Sequence, residues 1–179
     1  MDFSILYWIQ GLRAPFLDSF FVVLTNIAGN YGHIWVILGI ILLFFKKTRK
    51  CGITVLVSYL LVFGIGQYVL KDWIARPRPC HLDDSVELLV KRPSSYSCPS
   101  THSAWAFAAT TSVFLYHKGW GALTCIVALL IAFSRLYLFV HFPTDVLFGM
   151  GLGILLAFVS FKIVETIFKK KEFKEKKKL

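Results

Sequence analysis

The chain has 179 residues, room for one domain, and is 56% hydrophobic, 16% aromatic and 17% charged, with a mean hydropathy of +0.65. A soluble domain carries about a quarter charged residues, so this composition excludes an ordinary soluble protein and predicts a membrane-embedded one. The net charge of +10 gathers at 46–50 and 169–178, beside apolar runs and with no basic face interleaved with aromatics, which excludes nucleic-acid binding and reads as cytoplasmic anchoring.

The first residues lack a basic n-region and a small-residue cleavage site, so no signal peptide is expected. The stretch 3–28 is apolar but interrupted by Gln10, Arg13, Pro15, Asp18, Thr25 and Asn26. Pro15 divides it into two short pieces, expected as amphipathic helices in the membrane interface rather than as a transmembrane hairpin. A spanning helix needs about 20 apolar residues. Five segments meet or approach that length, at 32–45, 51–70, 102–116, 120–140 and 144–168, the first and third being short. The expected fold is an all-α membrane bundle of about five transmembrane helices over 1–168, followed by a basic tail at 169–179.

Thirteen of the 20 Lys and Arg fall in the 46–50 turn, the 117–120 turn and the tail from Lys162; seven fall on the other side. The positive-inside rule puts the thirteen in the cytoplasm. The C-terminus is then cytoplasmic, and Lys71, the 76–101 loop, His102, His141 and Asp145 meet at the outer face of a cell (inner) membrane.

Ionisable residues at span ends are costly and point to function. The second segment ends in Lys71, Arg76-Pro77 and Arg78-Pro79; Cys98-Pro99-Ser100-Thr101-His102 opens the third; Ser134-Arg135 and His141-Phe142-Pro143-Thr144-Asp145 join the last two. Each has a plain structural account. The cations can snorkel, Ser100 can cap a helix, and Pro143 with Asp145 suits a helix start. None of these accounts explains why two histidines, a carboxylate and three cations converge. Phosphoryl transfer does. Arg78, Arg135 and Lys71 match a phosphate's charge and geometry, and the N–H groups of Thr101 and His102 open a helix N-terminus that favours anions. One histidine would attack phosphorus while a carboxylate fixes its tautomer, a task for His141 and Asp145; His102 would protonate the leaving oxygen. No metal or other cofactor is expected, since no Asp, Glu or His cluster has metal-site spacing.

Lys71 with Arg78-Pro79, then Pro99-Ser100-Thr101-His102, then Ser134-Arg135 with His141 and Asp145 resembles the motif set of the type 2 phosphatidic acid phosphatases. The resemblance spans 71–145 and implies a helical bundle with its site at the outer membrane face. It also implies His141 as nucleophile, Asp145 as its partner and His102 as acid, with Lys71, Arg78, Ser100 and Arg135 binding phosphate. Thr101 stands where that family usually has glycine, which permits close backbone approach; a tighter pocket is expected. Vanadium haloperoxidases share the constellation, but five apolar segments argue against a soluble relative.

Cys80 and Cys98 bracket the outer loop, and a disulfide clamping the first two motifs is hypothesised there; Cys51 and Cys125 are expected to pack as small hydrophobes. Residues 83–92 read as a solvated loop, with a lipid-dipping lid as the alternative. Gly149, Gly151 and Gly153 predict close helix contact. The expected activity is hydrolysis of a lipid phosphate or diphosphate in the bilayer, with undecaprenyl diphosphate the leading substrate and phosphatidylglycerophosphate or phosphatidic acid the alternatives. A lipid or anion transporter using the same cations only to bind is the rival from another class.

Overall fold

A computed structural model describes residues 2–29 and 32–177; Lys178 and Leu179 of the basic tail lie outside the described residues. The described residues form α1 (Asp2–Gln10), α2 (Pro15–Ala28), α3 (His33–Leu43) and α4 (Arg49–Leu61). Next come a π-helix (Val62–Leu70), the single turn α5 (Lys71–Ile74) and a short α6 (Pro79–Leu82). Last are α7 (Thr101–Tyr116), α8 (Lys118–Tyr137) and α9 (Pro143–Lys176).

Among the described residues, Arg49–Leu82, Lys118–Tyr137 and Pro143–Glu175 are long and apolar enough to cross a membrane; α2 and α3, bent by 52°, make a fourth if they act as one span. Phe16, Trp73 and Trp120 are among many large apolar side chains left exposed, as lipid-facing surface requires. At 16 residues α7 is about 24 Å long, and α4, α8 and α9 pack around it. It is built for that place. Ala104, Ala106, Ala108 and Ala109 are buried along it, so α4, α8 and α9 can approach closely.

The tightest approach is to α9. A β-carbon at Gly149 would run into the Ser100 carbonyl oxygen, and one at Gly153 into that of Ala104, whereas Gly151 faces open space. Two of the three expected contact glycines therefore make the contact, and Gly151 does not. α9 runs unbroken past residue 168, so the basic tail begins as helix.

The two N-terminal pieces form helices divided ahead of Pro15, where the ring's fixed φ suits a helix start. They are docked on the bundle: Leu6 packs with Cys80, Phe139 and Phe142, and Ile9 with Phe21 and Tyr137. The 83–92 segment is not simply solvated, because Leu88 packs on the first of these clusters and Leu89 on the second.

Candidate active site

Two turns in the left-handed backbone region deliver the polar motifs. Ala75, at φ 47°, ends α5 and leads into Arg76 and Arg78. Phe139, at φ 57°, closes the end of α8, and the N–H groups of Val140 and His141 both return to the Arg135 carbonyl. Non-glycine residues adopt this conformation at a cost that surrounding packing must offset, and Phe139 is fully buried. The π-helix ahead of α5 turns Lys71 inward, leaving it 3% exposed beside the exposed Asp72 and Trp73.

The result is a cavity of about 560 Å³. Lys71, Arg78, Thr101, His102 and Arg135 line it, together with Thr25 and Asn26 of α2, Gln67 of the π-helix and the 90–95 segment. Lys71, Arg78 and Arg135 are all nearly buried. In this structure the 95–96 segment engages two of them. Lys71 Nζ donates to Tyr96 O at 3.0 Å and Ser95 Oγ at 3.3 Å; Arg78 Nε and Nη2 donate to Ser95 O and Oγ at 2.7 and 3.0 Å. Arg135 donates through Nη1 to Thr25 Oγ1, and its buried Nε has no partner among the described residues. A buried guanidinium N–H left unmatched at a cavity wall is a place for an anionic oxygen.

His141 lies on the far side of Arg78, 1% exposed, in the turn between α8 and α9. Arg78 Nη1 donates to the Val140 carbonyl at 2.7 Å and to His141 Nε2 at 3.0 Å. Guanidinium only donates, so Nε2 carries the lone pair and Nδ1 the proton. Burial pushes the imidazole well below the ordinary histidine range, and Arg78, Arg135 and Lys71 push the same way. The ring is therefore neutral, as a nucleophile must be.

Asp145, fully buried, stands at the third position of α9, where its Oδ2 accepts the Phe142 N–H at 2.9 Å and caps the helix. It does not touch His141 directly: Oδ2 is 3.8 Å from Nδ1, too far for a hydrogen bond. Ser97 lies between them, donating to Asp145 Oδ2 at 2.5 Å with its Oγ 3.4 Å from Nδ1. Arg76 Nη1 holds the other carboxylate oxygen at 2.6 Å, and its Nη2 reaches Asp2 of α1 at 2.8 Å.

His102 Nε2 donates to the Gly29 carbonyl at 3.0 Å, since a carbonyl only accepts. Thr101 opens α7, 3% exposed, and its hydroxyl donates to Gln67 Oε1 at 3.3 Å. Ser100 is fully buried, with its hydroxyl 3.0 Å from that of Ser103, while its neighbours Thr101 and His102 line the cavity.

The structure thus gathers Lys71, Arg78, Thr101, His102 and Arg135 around one cavity, with His141 and Asp145 directly behind Arg78. All four cysteines are free thiols in this structure. Cys80 is drawn into the apolar cluster of Leu6, Phe139 and Phe142, whereas Cys98 lies beside Asp145. Burial and that carboxylate push the Cys98 thiol up to about 11, which disfavours the thiolate needed for oxidation.

Sequence reasoning gave no role in the site to Arg76, Ser95, Ser97, Thr25 or Gln67. Arg76 had a signal, since Arg76-Pro77 repeats the Arg78-Pro79 pattern two residues earlier. The serines and Thr25 had none, because a hydroxyl earns a role here only through a partner distant in the chain.

Residues 52–169 match the model of the PAP2 superfamily. The chain is 34% identical over 151 residues to an undecaprenyl-diphosphatase of Sulfolobus acidocaldarius, covering 84% of this chain and 72% of that protein. It is 35% identical over 165 residues to phosphatidylglycerophosphatase B of Bacillus subtilis, covering 83% and 75%. Among solved structures, Aquifex aeolicus LpxE matches with a TM-score of 0.71 at 30% identity, covering 90% of this chain and 94% of that one. The transmembrane PAP2 type phosphatidylglycerolphosphate phosphatase of Bacillus subtilis matches with a TM-score of 0.72 at 32% identity, covering 93% and 85%. With a family model spanning most of the helical bundle and two solved bundles superposing on nearly all of it, the chain belongs to the PAP2 superfamily.

Proposed function

We propose that this multi-pass membrane enzyme, a PAP2 lipid phosphatase, hydrolyses a polyprenyl diphosphate such as undecaprenyl diphosphate through a phosphohistidine on His141. The observation that carries the reading is the unprotonated Nε2 of His141, 3.0 Å from an Arg78 that shares a cavity wall with Lys71, Arg135 and His102. Nε2 attacks the terminal phosphorus as its bond to the leaving oxygen breaks. The His102 imidazolium gives that oxygen its Nδ1 proton, with Nε2–H staying on the Gly29 carbonyl, while Lys71, Arg78 and Arg135 hold the charge on the transferring group. Water then attacks phosphorus, His102 takes its proton, and the P–N bond breaks to free phosphate and His141.

The 34% identity to an undecaprenyl-diphosphatase supports the diphosphate. So does the cavity, which reaches beyond the inner three cations to Lys91 and Arg92. The distribution of Lys and Arg supports a site on the outer face of the cell (inner) membrane with a cytoplasmic C-terminus. The 35% identity to phosphatidylglycerophosphatase B favours a second reading, a monophosphate glycerolipid.

Phosphate release by the purified protein from a panel of these lipids, with His141→Ala as control, tests the proposal. Preferred turnover of the diphosphate, lost in the variant, is expected. Preference for phosphatidylglycerophosphate selects the second reading. Turnover retained in the variant overturns the phosphohistidine, and lipid binding without any turnover marks a carrier.

A further inference from the structure

If His141 attacks through Nε2, its Nδ1 must hold a proton and direct it to an acceptor. The contact from Arg78 settles the first half, because it leaves the lone pair on Nε2. Asp145 is the acceptor its spacing suggests, yet Oδ2 stands 3.8 Å from Nδ1. The Ser97 hydroxyl is nearer, with Oγ 3.4 Å from Nδ1 and 2.5 Å from Asp145 Oδ2. Carboxylate and imidazole are each matched to it. A hydroxyl accepts one hydrogen bond while donating another, and the carboxylate, acceptor-only when ionised, takes the donated one. Arg76 and the Phe142 N–H occupy the rest of the carboxylate and hold it facing Ser97. His141, Ser97 and Asp145 are all buried, so water does not compete for these bonds.

We infer that Ser97 is the positioning residue of the nucleophile, joining Asp145 to His141 Nδ1 in an imidazole–hydroxyl–carboxylate relay; this rests on His141 being the nucleophile. No proton leaves the relay. As Nε2 bonds to phosphorus the ring becomes cationic, Nδ1 keeps its proton and donates it to Ser97 Oγ, and the Ser97 proton stays directed at Asp145. The carboxylate thereby stabilises the cationic ring without direct contact, and the ring keeps its orientation during attack. Without the hydroxyl, Nδ1–H would keep the Ser97 backbone carbonyl as a neighbour but lose its link to Asp145.

The test is a double-mutant cycle of Ser97→Ala and Asp145→Asn in the purified full chain, read as hydrolysis of undecaprenyl diphosphate and inhibition by inorganic vanadate. Misplacement of a reacting group by about 1 Å can cost about 100-fold. Ser97→Ala should therefore lower kcat by about 100-fold and weaken vanadate inhibition, because vanadate engages the same Nε2, while leaving KM within about twofold, since Ser97 is not among the cavity-lining residues. In the Asp145→Asn background the same change should cost less than about twofold, because the relay is already broken. An unchanged kcat, additive losses in the cycle, or a KM raised as much as kcat is lowered would each overturn the relay. His141→Ala, assayed alongside, separates the two claims. If that variant turns over, the nucleophile assignment fails; if it is dead while Ser97→Ala is fully active, only the relay fails.

Discussion

Thr25 on α2 holds Arg135 on α8: its hydroxyl accepts a hydrogen bond from Nη1 of the guanidinium, whose Nε is left free at the cavity wall. Four residues further on, the Gly29 carbonyl orients His102. Both contacts come from residues ahead of the 52–169 region that matches the family model. The N-terminal helices therefore complete the site as well as flank the bundle.

Thr25→Val keeps the side-chain shape and removes the acceptor. A hydrogen bond to a charged group contributes about 1.5–3 kcal/mol, so kcat/KM should fall by about 10-fold or more and vanadate should inhibit more weakly. Steady-state kinetics with vanadate titration check this, and unchanged values would show that Arg135 is held by other means.

The pH profile follows from His141. Burial and three neighbouring cations set its folded-state value well below 6.5, so the imidazole is neutral well into the acid range. The acid limb of kcat/KM assigned to this group should lie below pH 6.5. The stability linkage has the matching sign: the unfolded imidazole binds its proton more readily, so acid favours unfolding. Its contribution is intact above about pH 6.5 and is lost as pH falls through the lower folded value. Melting temperatures of the wild type and His141→Gln should diverge below pH 6.5 and converge above it.

Arg76 joins the buried Asp145 to Asp2 of α1 and lies 4.1 Å over the Phe142 ring. Arg76→Ala leaves a buried carboxylate unpaired, a change that costs about 3 kcal/mol or more. Adding Asp145→Asn removes the charge and should restore part of the melting temperature without restoring activity. Thermal unfolding of the three variants measures it.

Gly153 separates a packing requirement from a helix preference. Gly153→Ala drives a β-carbon into the Ala104 carbonyl, forcing apart the helices that carry His102 and Asp145, and should cost about 1–3 kcal/mol and most activity. Gly151→Ala meets open space and should be neutral or stabilising.

Much of this was legible in the chain. Lys71, Arg78, His102, Arg135, His141 and Asp145 stand out because charged groups at the ends of apolar segments have few plain explanations, and their spacing repeats a known motif set. Residues such as Ser97, Thr25 and Gln67 are ordinary in composition and spacing, and acquire importance only from what folds against them.

By itself, the sequence determined that this protein is a helical membrane bundle and that its chemistry is phosphoryl transfer. Hydropathy is local, and phosphate recognition needs cations and imidazoles that no lipid-facing surface tolerates without cause. Only the tertiary structure decided how those groups are joined. It put Ser97 between His141 and Asp145, bound that carboxylate to α1 through Arg76, and closed the cavity with α2. Each of these contacts links positions tens of residues apart, and hydrogen-bond geometry exists only once the helices have packed.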